Sequence, residues 1–473
     1  MSIVQPKLAV LNPEQIARIH GDSLRILSSI GVRVDSPRAR ELLTRAAGPG
    51  ALEGNRVRIP AELVDWALGV AARQVEIYDR RGEVAFRLPG EARFGIGVTC
   101  LYYQEPRDDT VRPFTREHMA ATVRLGQELP GFDCVSTVGI VQNVPAQVSD
   151  LVATLEMVAN TEKPLIVLIS DDQAFSPVLD LLEHLHGDLG KAPFVIPYLN
   201  PISPLVINAG TSDKMFASAE RGLPYIYSNY GMAGASTPIT PAGSLVLLNA
   251  ELLAGLVLSQ LIKAGWPVIL GSLPAYFDMK GIGSFYEPPS YVIDLACAEM
   301  MAHYGLPHCG TSGSGMGWGP DLIAAGHQWM NHLLSCIGKV GLVPFVGDNL
   351  GALALSPAIM VYANDIIQQV RAFARGFELS DETVGLDEIA HVGPGGDYLT
   401  TRRTLRLFRQ AYHRSDLFVK LTLEDWQSRG SPDAGQVLRQ RTAELLATAQ
   451  PPGDHDEILA RGGAFIAARG GDF

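Results

Sequence analysis

Residues 242–262, AGSLVLLNAELLAGLVLSQLI, constrain this chain more than any other stretch. They form a helix-length run that is apolar on nearly every side, and such a helix either spans a membrane or lies in a core or at a subunit contact. Asn249, Glu251 and Gln260 interrupt it, no basic flank marks an inner side, and strand-like residues follow at once, so the core or contact reading is preferred. Glu251 is its lone charge and is expected either to reach a cavity or to pair with a cation. The run overlaps the end of Tyr230–Gly243, a long loop without a single charge, which leaves an apolar strand at Leu223–Ser228. A second such strand, beginning at Val268, follows the helix, so the pieces read as one right-handed strand–helix–strand crossover. Ligand sites in such folds lie at the carboxyl ends of the strands, so the uncharged loop is expected to wall an active site.

The same rhythm extends through the chain. Apolar runs at Cys134–Val141, Leu165–Ile169, Val195–Leu199, Leu223–Ser228, Val268–Gly271, Pro307–Thr311, Val340–Val346 and Ile389–Val392 alternate with helical segments. These segments include Val148–Asn160, Ser212–Arg221, Pro289–Tyr304, Leu322–Ile337 and Pro357–Phe377. Eight strands with intervening helices predict an α/β fold of the TIM (β/α)8 barrel type, with a doubly wound sheet as the rival. Ahead of it, Asn12-Pro13-Glu14 starts a helix that Gly31 ends. Further helices follow from Pro37 and Pro60, and Val75–Tyr78 with Val84–Leu88 form a small β-hairpin. The expected division is an N-terminal helical cap over 1–110, the barrel over 111–402, and a helical C-terminal tail over 403–473 packed on the barrel's outside.

Composition narrows the function classes. The net charge of −12 speaks against nucleic acid or an anionic membrane as partner. The five cysteines are scattered without CxxC spacing, and the start of the chain has no basic region followed by an apolar core; both fit reduced thiols in a cytoplasm. His303, His308 and Cys309, and separately His327 and His332, lie close in sequence but fit no zinc spacing, so no metal is expected. GTSGSGMGWGP (310–320) has neither GxGxxG nor GK[ST] register, and no GxSxG elbow occurs. What remains is a set of aromatics near strand ends: Tyr102, Tyr103, Tyr198, Tyr227, Tyr230, Tyr276, Phe277 and Trp318. Aromatic faces with one carboxylate can hold a quaternary ammonium; the alternative is that many of these rings simply pack.

Several segments together resemble the trimethylamine methyltransferase (MttB-like) superfamily, in its branch without pyrrolysine, which includes glycine betaine:corrinoid methyltransferases. They are LNPEQIARIHGDSLRILSSIGVRVDSP, RVRIPAELVDWAL with VEIYDRRGE, Ser203-Pro204-Leu205, GMAGASTPITPAGSLVLLNAELLAGLVLSQL, VGPGGDYL and Asp425-Trp426. The resemblance runs from about residue 11 to 450. It implies a TIM barrel and transfer of a methyl group from a small quaternary or methylated amine to the Co(I) corrinoid (cobalamin) of a separate partner protein. No cofactor would be bound permanently by this chain, which is expected to form homo-oligomers. On this resemblance Glu105, beside Pro106 and before Arg112-Pro113, would meet the ammonium, and Asn200 would hydrogen-bond substrate. Tyr102, Tyr103, Tyr198, Tyr230, Phe277 and Trp318 would surround the substrate, with Gly313, Gly315, Gly395 and Arg403 toward the corrinoid. Arg403-Thr404 stands where the family has His-Thr, a departure that signals a different substrate if that histidine touches the site. The competing readings are a barrel lyase or demethylase without corrinoid, and an amine-binding protein that has lost catalysis.

Overall fold

In the computed structural model, which describes residues 2–310 and 315–469, eight parallel strands close into a barrel. In chain order they are Arg93–Ile96, Cys134–Ser136, Leu165–Val167, Val195–Leu199, Tyr225–Ala233, Val268–Asp278, His308–Cys309 and Leu342–Val346. Each pairs with its successor, and the eighth closes on the first through Leu342↔Arg93 and Val343↔Phe94. The TIM-type α/β fold therefore holds, but the strand set differs from expectation at one place. Ile389–Val392 belongs to the helix Leu386–Val392, flanked by Gly385 and Gly393 at positive φ. The remaining barrel strand is Arg93–Ile96, inside the stretch read as the N-terminal cap. Its glycine is there for packing: a Cβ on Gly95 would sit 2.7 Å from the Cys134 sulfur and 2.9 Å from the Pro344 carbonyl. A residue that must be small to let neighbouring strands close also weakens the apolar signal of its strand.

Inside the barrel, strand residues such as Ile166, Ile196, Ile226, Ile269 and Leu342 form one packed cluster. The hairpin Val75–Tyr78/Val84–Leu88 adds Val75, Ile77, Phe86 and Leu88 to that cluster and so plugs the amino end of the barrel. The carboxyl end stays open.

The helix Pro241–Ile262 follows the fifth strand. It is long and apolar enough to cross a membrane, yet 83% of its most apolar window is buried inside the protein. The N-terminal helices Pro13–Arg25, Pro37–Ala47 and Ala61–Val70 pack across it, with the helix Pro288–Tyr304 also against it. An apolar surface on every face is therefore a requirement of its position between helical layers. Asn12 caps the first helix in a capping box with Gln15. Gly31 ends the turn that follows it at φ 77°, with the Val57 carbonyl 2.5 Å from where a Cβ would stand.

The last two helices, Ala434–Thr448 and His455–Ala467, pack on the barrel's outer helices. Arg80 reaches the start of the second through a paired contact with Asp454 at 2.5 and 2.8 Å. Between the helix Pro357–Arg375 and this pair, residues 377–412 run with little buried surface.

Candidate functional site

The open carboxyl end of the barrel holds a cavity of about 640 Å³, a size typical of small-molecule sites. One wall exists because the fifth and sixth strands outrun the others. They stay paired from Tyr225↔Val268 to Ala233↔Tyr276, beyond the barrel rim, and the sixth then pairs back on Gly283–Phe285. This ribbon and the residue after it contribute Tyr230, Met232, Leu273, Ser284 and Tyr286. The other walls come from the ends of the fourth, eighth and first strands: Tyr198 with Asn200–Ser203, Phe345 with Gly351–Leu353, and Val98, Thr99 and Leu101. Among the described residues that line it, no side chain carries a charge. The stretch expected to wall a site thus contributes to one, although its first residues, Tyr230–Ala233, are strand rather than loop.

Four aromatic residues, Tyr198, Tyr230, Tyr286 and Phe345, line this space. Tyr198 and Phe345 meet edge to face with centroids 5.1 Å apart. The Tyr198 hydroxyl donates to Ser228 Oγ at 2.7 Å, and Asn200 Nδ2 donates to the Ser228 carbonyl at 3.0 Å, so the fifth strand fixes both. Burial pushes the Tyr198 hydroxyl well above its ordinary pKa. It also raises Tyr230, against hydrogen bonds with Ser284 and Tyr286. Both phenols therefore stay neutral at physiological pH, and their rings present unionised π faces.

Two carboxyls stand behind the walls. Glu251, on the buried helix, accepts hydrogen bonds from Ser203 Oγ (2.7 Å), the Leu205 amide (2.7 Å) and Asn229 Nδ2 (3.0 Å). Among the described residues it neither lines the cavity nor pairs with a cation, contrary to both expectations for it. It anchors instead the cis Ser203-Pro204 turn, whose Ser203 does line the cavity. Burial outweighs the three donors and raises its pKa to about 7. Asp348, just past the eighth strand, is fully buried and pushed up to about 8 by desolvation. Its Oδ2 accepts from the Gly315 amide at 2.9 Å, while Oδ1 has no hydrogen-bond partner among the described residues.

Of the residues singled out in the sequence, Tyr198, Asn200 and Tyr230 meet at the cavity. The others lie elsewhere. Glu105 follows the strand Tyr102–Gln104, 3.6 Å from Arg112 and 4.0 Å from the His118 imidazole. Tyr103 is buried and stacked on His118 at 4.0 Å, while Tyr102 is exposed. Phe277 sits near the tip of the ribbon, paired with Ser284. Trp318 is exposed, its carbonyl accepting from Gln104 Nε2. Gly315 backs Asp348, and Gly313 lies outside the described residues. Gly395 and Arg403 belong to the sparsely buried segment, where Arg403 Nε is 3.2 Å from Glu388. Two cavity aromatics, Phe345 and Tyr286, were not singled out in the sequence. Phe345 lay inside a correctly placed strand, and its position near that strand's carboxyl end was the available signal. Tyr286 had none, since only the fold-back of the ribbon brings it over the cavity.

Set beside known proteins, the chain has relatives along its whole length. The sequence profile of the family described as trimethylamine methyltransferase (MTTB) matches residues 2–473. The chain is 27% identical to the glycine betaine methyltransferase of Desulfitobacterium hafniense (strain Y51), over 99% of each chain. It is 26% identical to the trimethylamine methyltransferase MttB of Methanosarcina barkeri (strain Fusaro / DSM 804), covering 94% of this chain and 92% of the relative. Among solved structures, the Methanosarcina barkeri monomethylamine methyltransferase (MtmB) superposes over 93% of each chain with a TM-score of 0.48 at 10% identity.

Proposed function

The chain belongs to the trimethylamine methyltransferase family and is a methyltransferase, and from that premise we propose that it moves a methyl group from a small quaternary or methylated amine to a corrinoid carried by a separate protein. The observation that carries this reading is the cavity itself: aromatic walls, neutral dipoles and, among the described residues, no lining charge. A quaternary nitrogen has no proton to lose and leaves as a neutral tertiary amine, so its demethylation needs alignment more than acid–base help. Tyr198, Tyr230, Tyr286 and Phe345 offer π faces to the cation, each contact contributing about 0.5–2 kcal/mol. A lining carboxylate would hold the charged ground state more tightly than a transition state in which that charge is fading. The uncharged lining avoids that penalty. Asn200, with its amide nitrogen held by Ser228, keeps its amide oxygen in a fixed place to orient the substrate.

The corrinoid would supply the cobalt nucleophile that accepts the methyl group. Toward such a partner the mouth offers exposed apolar side chains: Leu101, Ile202 and Leu353 at the cavity, with Met279 and Ile282 at the tip of the ribbon. An exposed apolar rim of this kind is suited to being covered by another protein. The lyase reading requires an acid–base pair in the cavity. Glu251 and Asp348, whose carboxyls burial raises to about 7 and about 8, stand behind the walls rather than lining them. The five free cysteines, four of them buried, support placement in the reducing cytoplasm.

The test is methylation of reduced free cob(I)alamin by the purified protein, followed spectroscopically with trimethylamine, tetramethylammonium and glycine betaine. Turnover with at least one amine, impaired in Tyr230→Leu, is expected. No methyl transfer from any amine, with a binding isotherm showing that one of them is bound, would overturn the reading.

A further inference from the structure

We infer that Ser203 is a substrate-contacting residue of the cavity and that Glu251 positions it, holding the hydroxyl proton away so that the oxygen meets a bound quaternary ammonium with its lone pairs. The inference rests on the amine reading of the cavity given above. Ser203 belongs to two environments at once. It lines the cavity from the end of the fourth strand, and its Oγ donates to Glu251 Oε2 at 2.7 Å. A hydroxyl has one proton, and once that proton is committed behind the wall the side chain can offer the cavity only acceptor capacity. The methyl groups around a quaternary nitrogen carry its charge, and their C–H bonds make weak hydrogen bonds to such an oxygen. The carboxylate thus lends the aromatic cage negative character through one intervening hydroxyl, without itself lining the space.

The bonds around Glu251 single out Ser203 as the side chain that responds to it. Oε1 takes the Leu205 amide at 2.7 Å, a backbone donor that cannot turn. Oε2 takes Ser203 Oγ and, at 3.0 Å, Asn229 Nδ2, which the Leu248 carbonyl also holds at 2.9 Å. Of the three donors, only the hydroxyl can rotate to become an acceptor. A proton on Oε2 would therefore turn the Ser203 proton away from the carboxyl and toward the cavity, where it repels a cation. Burial raises this carboxyl to about 7, so the exchange falls within an ordinary pH titration. The titratable group that faces it from the fifth strand is Tyr227, which burial keeps neutral. His20 and Tyr304, on two helices packed against this one, bond to each other at 3.0 Å and meet Asn249, which lies about 200° around the helix from Glu251. Besides burial, the influences on Glu251 are its three hydrogen bonds, and among the described residues no charged side chain of a packed element joins them.

Calorimetric titration of the full chain with tetramethylammonium tests it. Wild-type affinity should fall by about five- to tenfold as pH drops from about 8.5 to about 5.5, where Oε2 gains its proton. Ser203→Ala and Glu251→Gln should each bind about fivefold more weakly than wild type at the higher pH, with little pH dependence. The double variant should bind no more weakly than either single one, because both changes remove the same contact. If Glu251→Gln loses its fold by circular dichroism, the wild-type pH profile and Ser203→Ala decide. Wild-type affinity independent of pH, a step of the same size persisting in Ser203→Ala, losses that add in the double variant, or no binding at any pH would overturn the inference. Methyl transfer to cob(I)alamin is read separately: binding with the expected step but without transfer would overturn the transferase reading and support the inference.

Discussion

Replacing Glu251 by glutamine should reverse sign in its effect on stability as pH rises. The carboxyl is almost completely buried on the central helix and has its pKa raised from 4.5 to about 7 by desolvation. For an acid whose folded-state pKa lies above the unfolded one, ionisation is easier in the unfolded chain. Its contribution is thus fully present at low pH and is lost as pH climbs from the unfolded value through the folded one. A shift of this size corresponds to about 3 kcal/mol of stability lost between about pH 4 and about pH 8. Glutamine keeps the shape, and its carbonyl in the place of Oε1 can still accept from the Leu205 amide. It presents an NH2 where Glu251 Oε2 accepts from Asn229, a loss of about 1 kcal/mol. E251Q should therefore be less stable than wild type near pH 5 by about 1 kcal/mol and more stable near pH 8 by about 2 kcal/mol. Urea denaturation at a series of pH values, with E251Q and wild type side by side, reads the crossing directly. Parallel curves would show that Glu251 is solvated or paired in a way that contradicts its buried three-donor setting.

Asp348→Asn should likewise flatten the loss of stability that wild type shows as pH rises toward about 8, since this carboxyl too is raised by burial; an unchanged pH slope would refute it. Gly255→Ala should destabilise by about 3 kcal/mol in the same denaturation assay, because the added Cβ would collide with the buried Tyr227 ring; a change within about 0.5 kcal/mol would contradict that packing. Glu105→Gln should leave the affinity for a quaternary amine, measured by calorimetry, within about twofold, since the carboxylate sits beside Arg112 and His118 rather than at the cavity; a tenfold loss would relocate the site.

The barrel was legible because a buried parallel strand writes itself as an unbroken apolar run. Val195–Leu199 appears in the structure with the bounds its sequence predicts, and Leu322–Ile337 does so among the helices. Arg93–Ile96 was not legible, since Gly95 and Gly97, demanded by close neighbours, make it look like a turn. Ile389–Val392 misled for the opposite reason: its apolar residues lie on an exposed helix, where burial within this chain does not explain them. At the cavity, Tyr198 and Tyr230 were legible because strand ends point there in such folds. The surroundings of Glu105 were not, because Arg112 and His118 come to it only through the hairpin Tyr102–Gln104/Val111–Pro113 and the helix Arg116–Glu128 that follows.

Recognition of a quaternary cation by an aromatic, uncharged cavity has one direct test. Glycine betaine and 3,3-dimethylbutanoate share shape and carboxylate and differ in carrying a quaternary nitrogen or a neutral quaternary carbon. Their dissociation constants, measured by calorimetry on the wild-type protein, isolate that difference. Binding of betaine about tenfold or more tightly, with the preference collapsing in Tyr230→Leu, is the predicted result. Equal affinity for the two ligands would contradict the account, because it would mean that the cavity recognises bulk and not charge.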